Sequence, residues 1–290
     1  MQRVFIGDVQ GCADELDEML ARAHARFGDA FEAWTVGDLV NRGPHNRRVL
    51  ERVRALRDQG RARTVLGNHE IGAMLKFLGL RPMSRSDTIG EILHAPDGRE
   101  WIEWLRRLPL VEVGEVAGEP FALVHASVHP KWSRETLVER AREAEARLRA
   151  GSLDDLADFL AGRSSEPGDR ERLDVLGRLT RCRSVPDAAC ETWSDAPPVT
   201  PERAWHACWR RVGHDWGVVY GHWALQGLHV APGLRGLDTG CVHHGRPNGR
   251  GGTTHGTLTA WVPDEAQGFA VPDARFWQVA ARRRYIADDG

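Results

Sequence analysis

Lysine is almost missing from this chain: Lys76 and Lys131 are the only two, so 39 − 2 = 37 of its basic residues are arginine. An arginine is therefore weak evidence by itself and has to sit in a motif to count. An excess of positive charge is missing as well. Lys+Arg 39 against Asp+Glu 41 gives a formal net charge of −2, which argues against a general nucleic-acid binder working through a broad basic surface. Any anionic ligand has to be captured locally. No apolar run approaches the roughly 18 residues that a membrane-spanning helix needs, so membrane insertion is excluded. The opening MQRVFIGD has neither the long apolar stretch nor the small-residue cleavage site of a signal peptide, which predicts a cytoplasmic protein. Cys12, Cys182, Cys190, Cys208 and Cys241 are widely spaced and form no CxxC pair, which predicts reduced thiols rather than a zinc or redox motif.

What is present is an ordinary globular composition, 41% hydrophobic over 290 residues, enough for one domain of roughly 200 residues or more carrying insertions. Short apolar runs closed by glycine or a polar residue recur along it: VFIGD (4–8), AWTVGD (33–38), RTVLGNHE (63–70), FALVHA (121–126) and VVYGHW (218–223). These read as strands. Leu16, Met19, Leu20 and Ala23, then Val49, Val53 and Leu56, fall at helical spacing between them. Asp8 to Asp38 and Asp38 to Asn68 are each 30 residues apart, the length of a strand, a crossover helix and a return. Right-handed crossovers make such strands parallel, and their polar endings converge on one edge, where open α/β sheets place ligands.

Residues 81–110 and 133–183 are Arg/Glu/Leu/Ala-rich and helical in pattern, with AREAEARLRA (141–150) as the clearest helix. They are expected to form a helical cap, continued by a Pro/Ser/Trp-rich loop and ending near residue 215. HHGRPNGRGGTTH (243–255) lies between two strand-like runs, LRGLDTG and GTLTAWV, and reads as an extended hairpin loop or a metal or substrate loop. Residues 264–290 add a short strand and an arginine-rich surface end. Trp193, Trp205, Trp209, Trp216 and Trp223 are expected to pack in the core or to stack a base.

The strand endings supply Asp8, Gln10, Asp38, Asn68, His125 and His222. A set of oxygen and nitrogen donors without thiolate suits Mn²⁺, Fe²⁺, Zn²⁺ or Co²⁺, and six donors exceed what one ion takes from protein. Two ions bridged by one carboxylate use them all. Asp38 is the natural bridge, Asp8 and Gln10 complete the first site, and Asn68, His125 and His222 complete the second. A water shared by two cations is acidified toward neutral pH and attacks phosphorus, and the leaving oxygen then needs an acid. His69 is the candidate acid, Asn41 the candidate residue to orient it, and Arg42 the candidate fork for phosphate oxygens.

GDVQG, GDLVNRG, GNHE, the single-histidine VHA strand and GHW resemble the calcineurin-like metallophosphoesterases, in their phosphoprotein-phosphatase branch. GDVQGC, GHWA, TRCR (180–183), LDTGC (237–241) and GTLTAW (256–261) are further similar to the bacterial symmetrical diadenosine tetraphosphatases over essentially the whole chain. The resemblance implies a single domain spanning 1–290, an α/β/β/α sandwich with a helical cap (segments about 81–110 and 133–215), and two divalent cations, with Mn²⁺ foremost. It implies cleavage of diadenosine tetraphosphate to two ADP, with the same chemistry open to nucleoside-tetraphosphate RNA caps, and it suggests Arg181 and Arg183 as phosphate contacts. Two features depart from the pattern: Gln10 stands where histidine is common, and 243–255 is inserted. A serine/threonine protein phosphatase, and a nucleotide-sensing protein that has lost one metal through Gln10, are the competing readings.

Overall fold

Val4, Phe5 and Ile6 are all fully buried in β1 (Gln2–Ile6). A strand covered on both faces reads as a continuous apolar run instead of an alternating one. It sits in the middle of a five-stranded sheet with β2 (Phe31–Thr35) and β3 (Ala62–Thr64) parallel on one side, and β9 (Thr257–Trp261) and β10 (Phe276–Ala280) antiparallel on the other. The computed structural model describes residues 1–247, 252–264 and 266–286. A second five-stranded sheet has the order β4 (Val111–Val116), β5 (Glu119–Val124), β6 (Gly217–Tyr220), β8 (Leu234–Gly236), β7 (His229–Ala231), with β5, β6 and β8 parallel.

The two sheets stack through an aromatic layer. The Phe5 ring lies 5.2 Å from Phe121 and 5.1 Å from Trp261, and Trp261 lies 4.9 Å from Phe269. The outer face of the first sheet is covered by α1 (Ala13–Phe27) and α2 (Asn46–Asp58), which bury Leu16, Met19 and Ala23, and Val49, Leu50 and Val53. The second sheet is backed by α6 (Arg134–Arg149) and α8 (Asp169–Arg181), which pack on each other. Ala126 N–H donates to the Leu179 carbonyl and Ser127 Oγ to that of Arg178, which pins α8 to the end of β5. The result is an α/β/β/α sandwich with helical insertions. Residues 81–110 carry the short α4 (Gly90–Leu93) and α5 (Gly98–Leu105), which pack against α2 and α3 (Asn68–Phe77). The second insertion carries α6, α7 (Leu153–Leu160), α8 and α9 (Trp205–Val212). No helix among the described residues is long and apolar enough to cross a membrane.

Four sequence expectations change. RTVLGNHE is not one strand: β3 ends at Thr64 and Asn68 opens α3, so Asn68 and His69 sit on a helix N-terminus. The polar endings do not come from one sheet but from two, whose loops meet at a shared edge. The runs flanking 243–255 are not partners in a hairpin, since β8 and β9 belong to different sheets. The loop pairs with itself through Pro247 and Thr253, and its residues 248–251 lie outside the described residues. The chain end is also less superficial than expected: Arg282 N–H and Tyr285 O–H both donate to the buried Glu15, and Ile286 is buried.

Beside the aromatic layer lies a fully buried ion pair. Arg235 donates to Asp273 Oδ2 through Nε at 3.1 Å and Nη2 at 2.9 Å, Trp261 Nε1 donates to the same oxygen at 2.8 Å, and the guanidinium lies over the Trp261 ring. Removing one member of such a pair leaves an uncompensated buried charge, at a cost of about 3–5 kcal/mol. Asp273→Ala is therefore expected to lose about 3 kcal/mol or more, read from the shift of a chemical denaturation midpoint. Replacing Arg235 and Asp273 together by apolar residues is expected to cost clearly less.

Candidate functional site

The loops that end β1, β2, β5, β6 and β8, with the first turn of α3, open into a cleft of about 810 Å³. Its lining includes Gln10, Asp38, Asn68, His69, Arg183 and His222, while Asp8 and His125 are buried immediately behind it. Carboxylate oxygens of Asp8 and Asp38 and a ring nitrogen of His125 lie within 4.8 Å of one another. Backbone strain gathers here. Seven non-glycine residues among those described have positive φ; three of them line the cleft, Gln10 (48°), Asp38 (48°) and His222 (70°), and two more, Asn41 (76°) and Arg42 (70°), follow in the Asp38 loop. Each costs about 1–3 kcal/mol and persists only where the surroundings over-determine it. Close approach adds a second constraint. A Cβ on Gly221 would stand 2.0 Å from Asp8 Oδ1, and one on Gly67 2.2 Å from Asp38 Oδ1, so both carboxylates rest against bare backbone.

The two site histidines are aimed by the carbonyls behind them. His125 Nδ1 lies 2.8 Å from the Val36 carbonyl and His222 Nε2 lies 2.9 Å from that of Arg181. A carbonyl only accepts, so each of these nitrogens carries the proton and the opposite nitrogen presents a lone pair to the cleft. Those two lone pairs point at Asn68 Oδ1, which is 3.1 Å from His125 Nε2 and 2.7 Å from His222 Nδ1. Three acceptors thus converge with no proton between them, an arrangement that a cation satisfies. Burial holds both imidazoles below their ordinary pKa, which keeps them neutral and able to ligate.

The acids behave in the complementary way. Burial, then the charges of Asp238 and Asp38, raises Asp8 well above the usual carboxylate range. Burial and Asp38 push Asp238 up to about 7. Crowded carboxylates with one half-buried cation nearby, Arg183, leave negative charge for a metal to neutralise. The donor set fits divalent cations. Asp8, Asp38, Gln10, Asn68, His125 and His222 are the residues that would hold them. Gln10 Nε2 donates to Asp38 Oδ2 at 3.3 Å, which holds its carboxamide beside that carboxylate.

The remaining predicted residues divide. His69 lines the cleft, with Nδ1 on the Val40 carbonyl at 3.0 Å and Nε2 at 3.7 Å from Asp38 Oδ2. Arg183 lines it too, anchored on the carbonyls of Asp195 and His222. Arg181 does not: its guanidinium pairs with Asp195, and its carbonyl serves the cleft by orienting His222. Arg42 leans on Ser86 and Asp87, outside the lining. Asn41 is taken up by the turn, donating to Asp87 and accepting from Thr88 N–H and Arg42 N–H, with no bond to His69.

The sequence assigned no role to Asp238 or Glu70, and named His243 and Arg246 only within the 243–255 loop. Asp238 follows β8 as Asp8 follows β1, so the signal was the repeated apolar-run-then-Asp pattern inside LDTGC. Glu70 was in plain view in GNHE, but its role depends on tertiary contacts. All five cysteines are free, yet Cys12 and Cys241 meet against Glu15, joining the loops that carry Gln10 and Asp238.

Glu70 is fully buried and accepts four backbone N–H groups: Gly67 at 2.8 Å, Asp38 at 3.0 Å, Leu39 at 2.8 Å and Val40 at 3.3 Å. An amide in its place turns an NH₂ toward these donors, and each orphaned buried donor costs about 1–3 kcal/mol. Glu70→Gln is expected to lose at least about 2 kcal/mol of stability by denaturant titration and to weaken divalent-metal binding in the same preparation. Unchanged values would remove Glu70 from this role.

The calcineurin-like phosphoesterase model matches residues 1–256. Relatives named bis(5′-nucleosyl)-tetraphosphatase, symmetrical, from Escherichia coli K12 and Shigella boydii serotype 18 are each 33% identical over 287 residues, covering 95% of this chain and 96% of theirs. The crystal structure of a candidate diadenosine tetraphosphatase is similar with a TM-score of 0.59 at 22% identity, covering 96% of this chain and 93% of that one. A hypothetical protein of Pyrococcus horikoshii OT3 follows at 0.56 and 11%, with 96% and 87% covered. The structural likenesses establish the shared fold. With the model matched across all but the last two strands, the chain belongs to the calcineurin-like phosphoesterase family.

Proposed function

We propose that this chain is a symmetrical dinucleoside tetraphosphate hydrolase, acting in the cytoplasm as one catalytic unit spanning the whole sequence and converting diadenosine tetraphosphate and water to two ADP. The observation that carries the reading is the convergence of the His125, His222 and Asn68 lone pairs beside Asp8 and Asp38. Likeness to the tetraphosphatases over nearly the full chain supports the substrate. When bound, two divalent cations, Mn²⁺ foremost, supply Lewis acidity toward the phosphoryl oxygens and a nucleophile from water at neutral pH.

The chain's own groups supply the rest. Asp38 presents one carboxylate to both halves of the donor set, and its Oδ1 is fixed by the His69 N–H at 2.9 Å. The incoming oxygen forms a bond to a central phosphorus as the bridging P–O bond breaks, and ADP leaves from the opposite side. His69 holds Nδ1–H on the Val40 carbonyl and a proton at Nε2, which passes to the leaving oxygen. Asp38 Oδ2 at 3.7 Å stabilises the protonated ring. Arg183, wedged between carbonyls, faces the phosphate chain with a fixed guanidinium. Nucleoside-tetraphosphate RNA caps contain the same anhydride and belong among the substrates to assay.

Incubation with Mn²⁺ and diadenosine tetraphosphate is expected to yield ADP as the only product, to stop after chelator treatment and to resume on adding Mn²⁺. Phosphate release from a phosphopeptide with the dinucleotide intact would move the protein to the protein-phosphatase reading. Asp38→Asn is expected to cut turnover at least about a thousandfold, measured at saturating metal. His69→Asn is expected to lower kcat strongly with metal content unchanged by elemental analysis. Loss of metal in that variant would make His69 a ligand or a structural residue instead.

A further inference from the structure

The walls of the cleft are chemically unlike. His69, His243 and Arg246 make up a polar part of the lining, where burial and then the Arg246, His69 and Arg42 charges lower His243 to about 4; Arg183 stands closer to Trp223, donating to the carbonyls of Asp195 and His222. The apolar part of the lining is Pro197, Trp223, Ala224 and Leu225. Leu225 is 88% exposed. Of the five tryptophans between residues 193 and 223, Trp205, Trp209 and Trp216 are buried in the core, while Trp223, next to His222, lines the cleft.

The apolar wall is also rigid. Gln226 N–H donates to the Trp223 carbonyl at 2.8 Å and Gly227 N–H to that of Ala224 at 3.1 Å, closing the loop into a tight turn. The Trp223 ring leans on His206 at 5.8 Å and 40°. His206 is braced in turn: Gln226 Nε2 donates to its Nε2 at 2.7 Å, Tyr220 O–H donates to Gln226 Oε1 at 3.1 Å, and His229 Nδ1 lies 2.6 Å from the same hydroxyl. A chain of satisfied polar groups therefore holds one flat ring in place, partly open to the cleft.

We infer that Trp223, flanked by Leu225 and Pro197, is the seat of the base of a nucleoside 5′-polyphosphate, and that the phosphates run from there across His222 toward Arg183 and Arg246. The inference rests on the proposed hydrolase reading for the chemistry of the ligand. A planar base covers apolar surface that is otherwise exposed to water, and every base has a face that stacks. One nucleoside is held by stacking and the far half of the substrate by charge alone. The far half can then vary, as it does between a dinucleotide and a capped RNA.

The test is a calorimetric titration of the Mn²⁺-saturated protein with ADP and, separately, with inorganic pyrophosphate. ADP is expected to bind about tenfold or more tightly than pyrophosphate, which is about 1.4 kcal/mol. Trp223→Ala is expected to bring ADP down to the pyrophosphate value while pyrophosphate binding stays unchanged, and Trp223→Phe to keep ADP within about threefold of the parent. Equal affinities in the parent protein, or a Trp223→Ala variant weakened toward both ligands alike, would overturn the inference. A protein that prefers ADP through Trp223 yet leaves diadenosine tetraphosphate uncleaved supports the base seat and removes the hydrolase reading.

Discussion

One buried carboxylate ties the site together. Glu70 takes four backbone N–H groups, one from the glycine that caps α3 and three from the loop after β2. Those donors point inward because Asp38 adopts a left-handed conformation, and a polar group with no water available has to find a partner. The same loop then passes the constraint on. The Asp38 carbonyl accepts from Val9 and Gln10, and the Leu39 carbonyl from Gly11. The loops after β1 and β2 and the N-terminus of α3 are thereby one hydrogen-bonded body, and Asp8, Gln10, Asp38, Asn68 and His69 move together or not at all.

The other half of the site is attached differently. His125 and His222 come from the second sheet, and each reaches the first sheet's carboxylates by way of a carbonyl that fixes its ring. The His222 backbone N–H also rests on both Asp8 oxygens, at 3.1 and 3.2 Å. The aromatic layer between the sheets sets how far apart these halves stand, so packing remote from the cleft controls geometry inside it. The strained φ angles, the crowded acids and the facing lone pairs are all unfavourable taken singly. They are stable together because a folded core of this size can carry them.

Much of this was legible before folding. Asp8, Asp38, Asn68, His125 and His222 each close an apolar run or open the next helix, and such endings mark sites because strands deliver side chains to a common edge. Gln10 and His69 were legible as neighbours of those residues. Asn41, Arg42 and Arg181 were not assignable in the same way. A polar residue in a turn can serve the turn or the ligand, and Asn41 is bonded to Asp87, Thr88 and Arg42. In an arginine-rich chain, the difference between Arg181 on Asp195 and Arg183 in the cleft is one of direction, which spacing two residues apart along an ending helix does not encode.

Local spacing and residue type were enough for the α/β class, the parallel β1, β2 and β3, and a donor set of oxygen and nitrogen without thiolate, because each is a short-range property of the chain. Which sheet each strand joined was decided by the sandwich, whose aromatic interior pairs residues more than a hundred positions apart, as Phe5 of one sheet with Phe121 of the other. The tertiary structure alone selected Trp223 from five tryptophans, turned Glu70 into the anchor of two loops, brought Cys12 to Cys241 and aimed the lone pairs of His125 and His222. Those are matters of direction and of long-range contact, and they exist only once the packing has chosen which atoms face which.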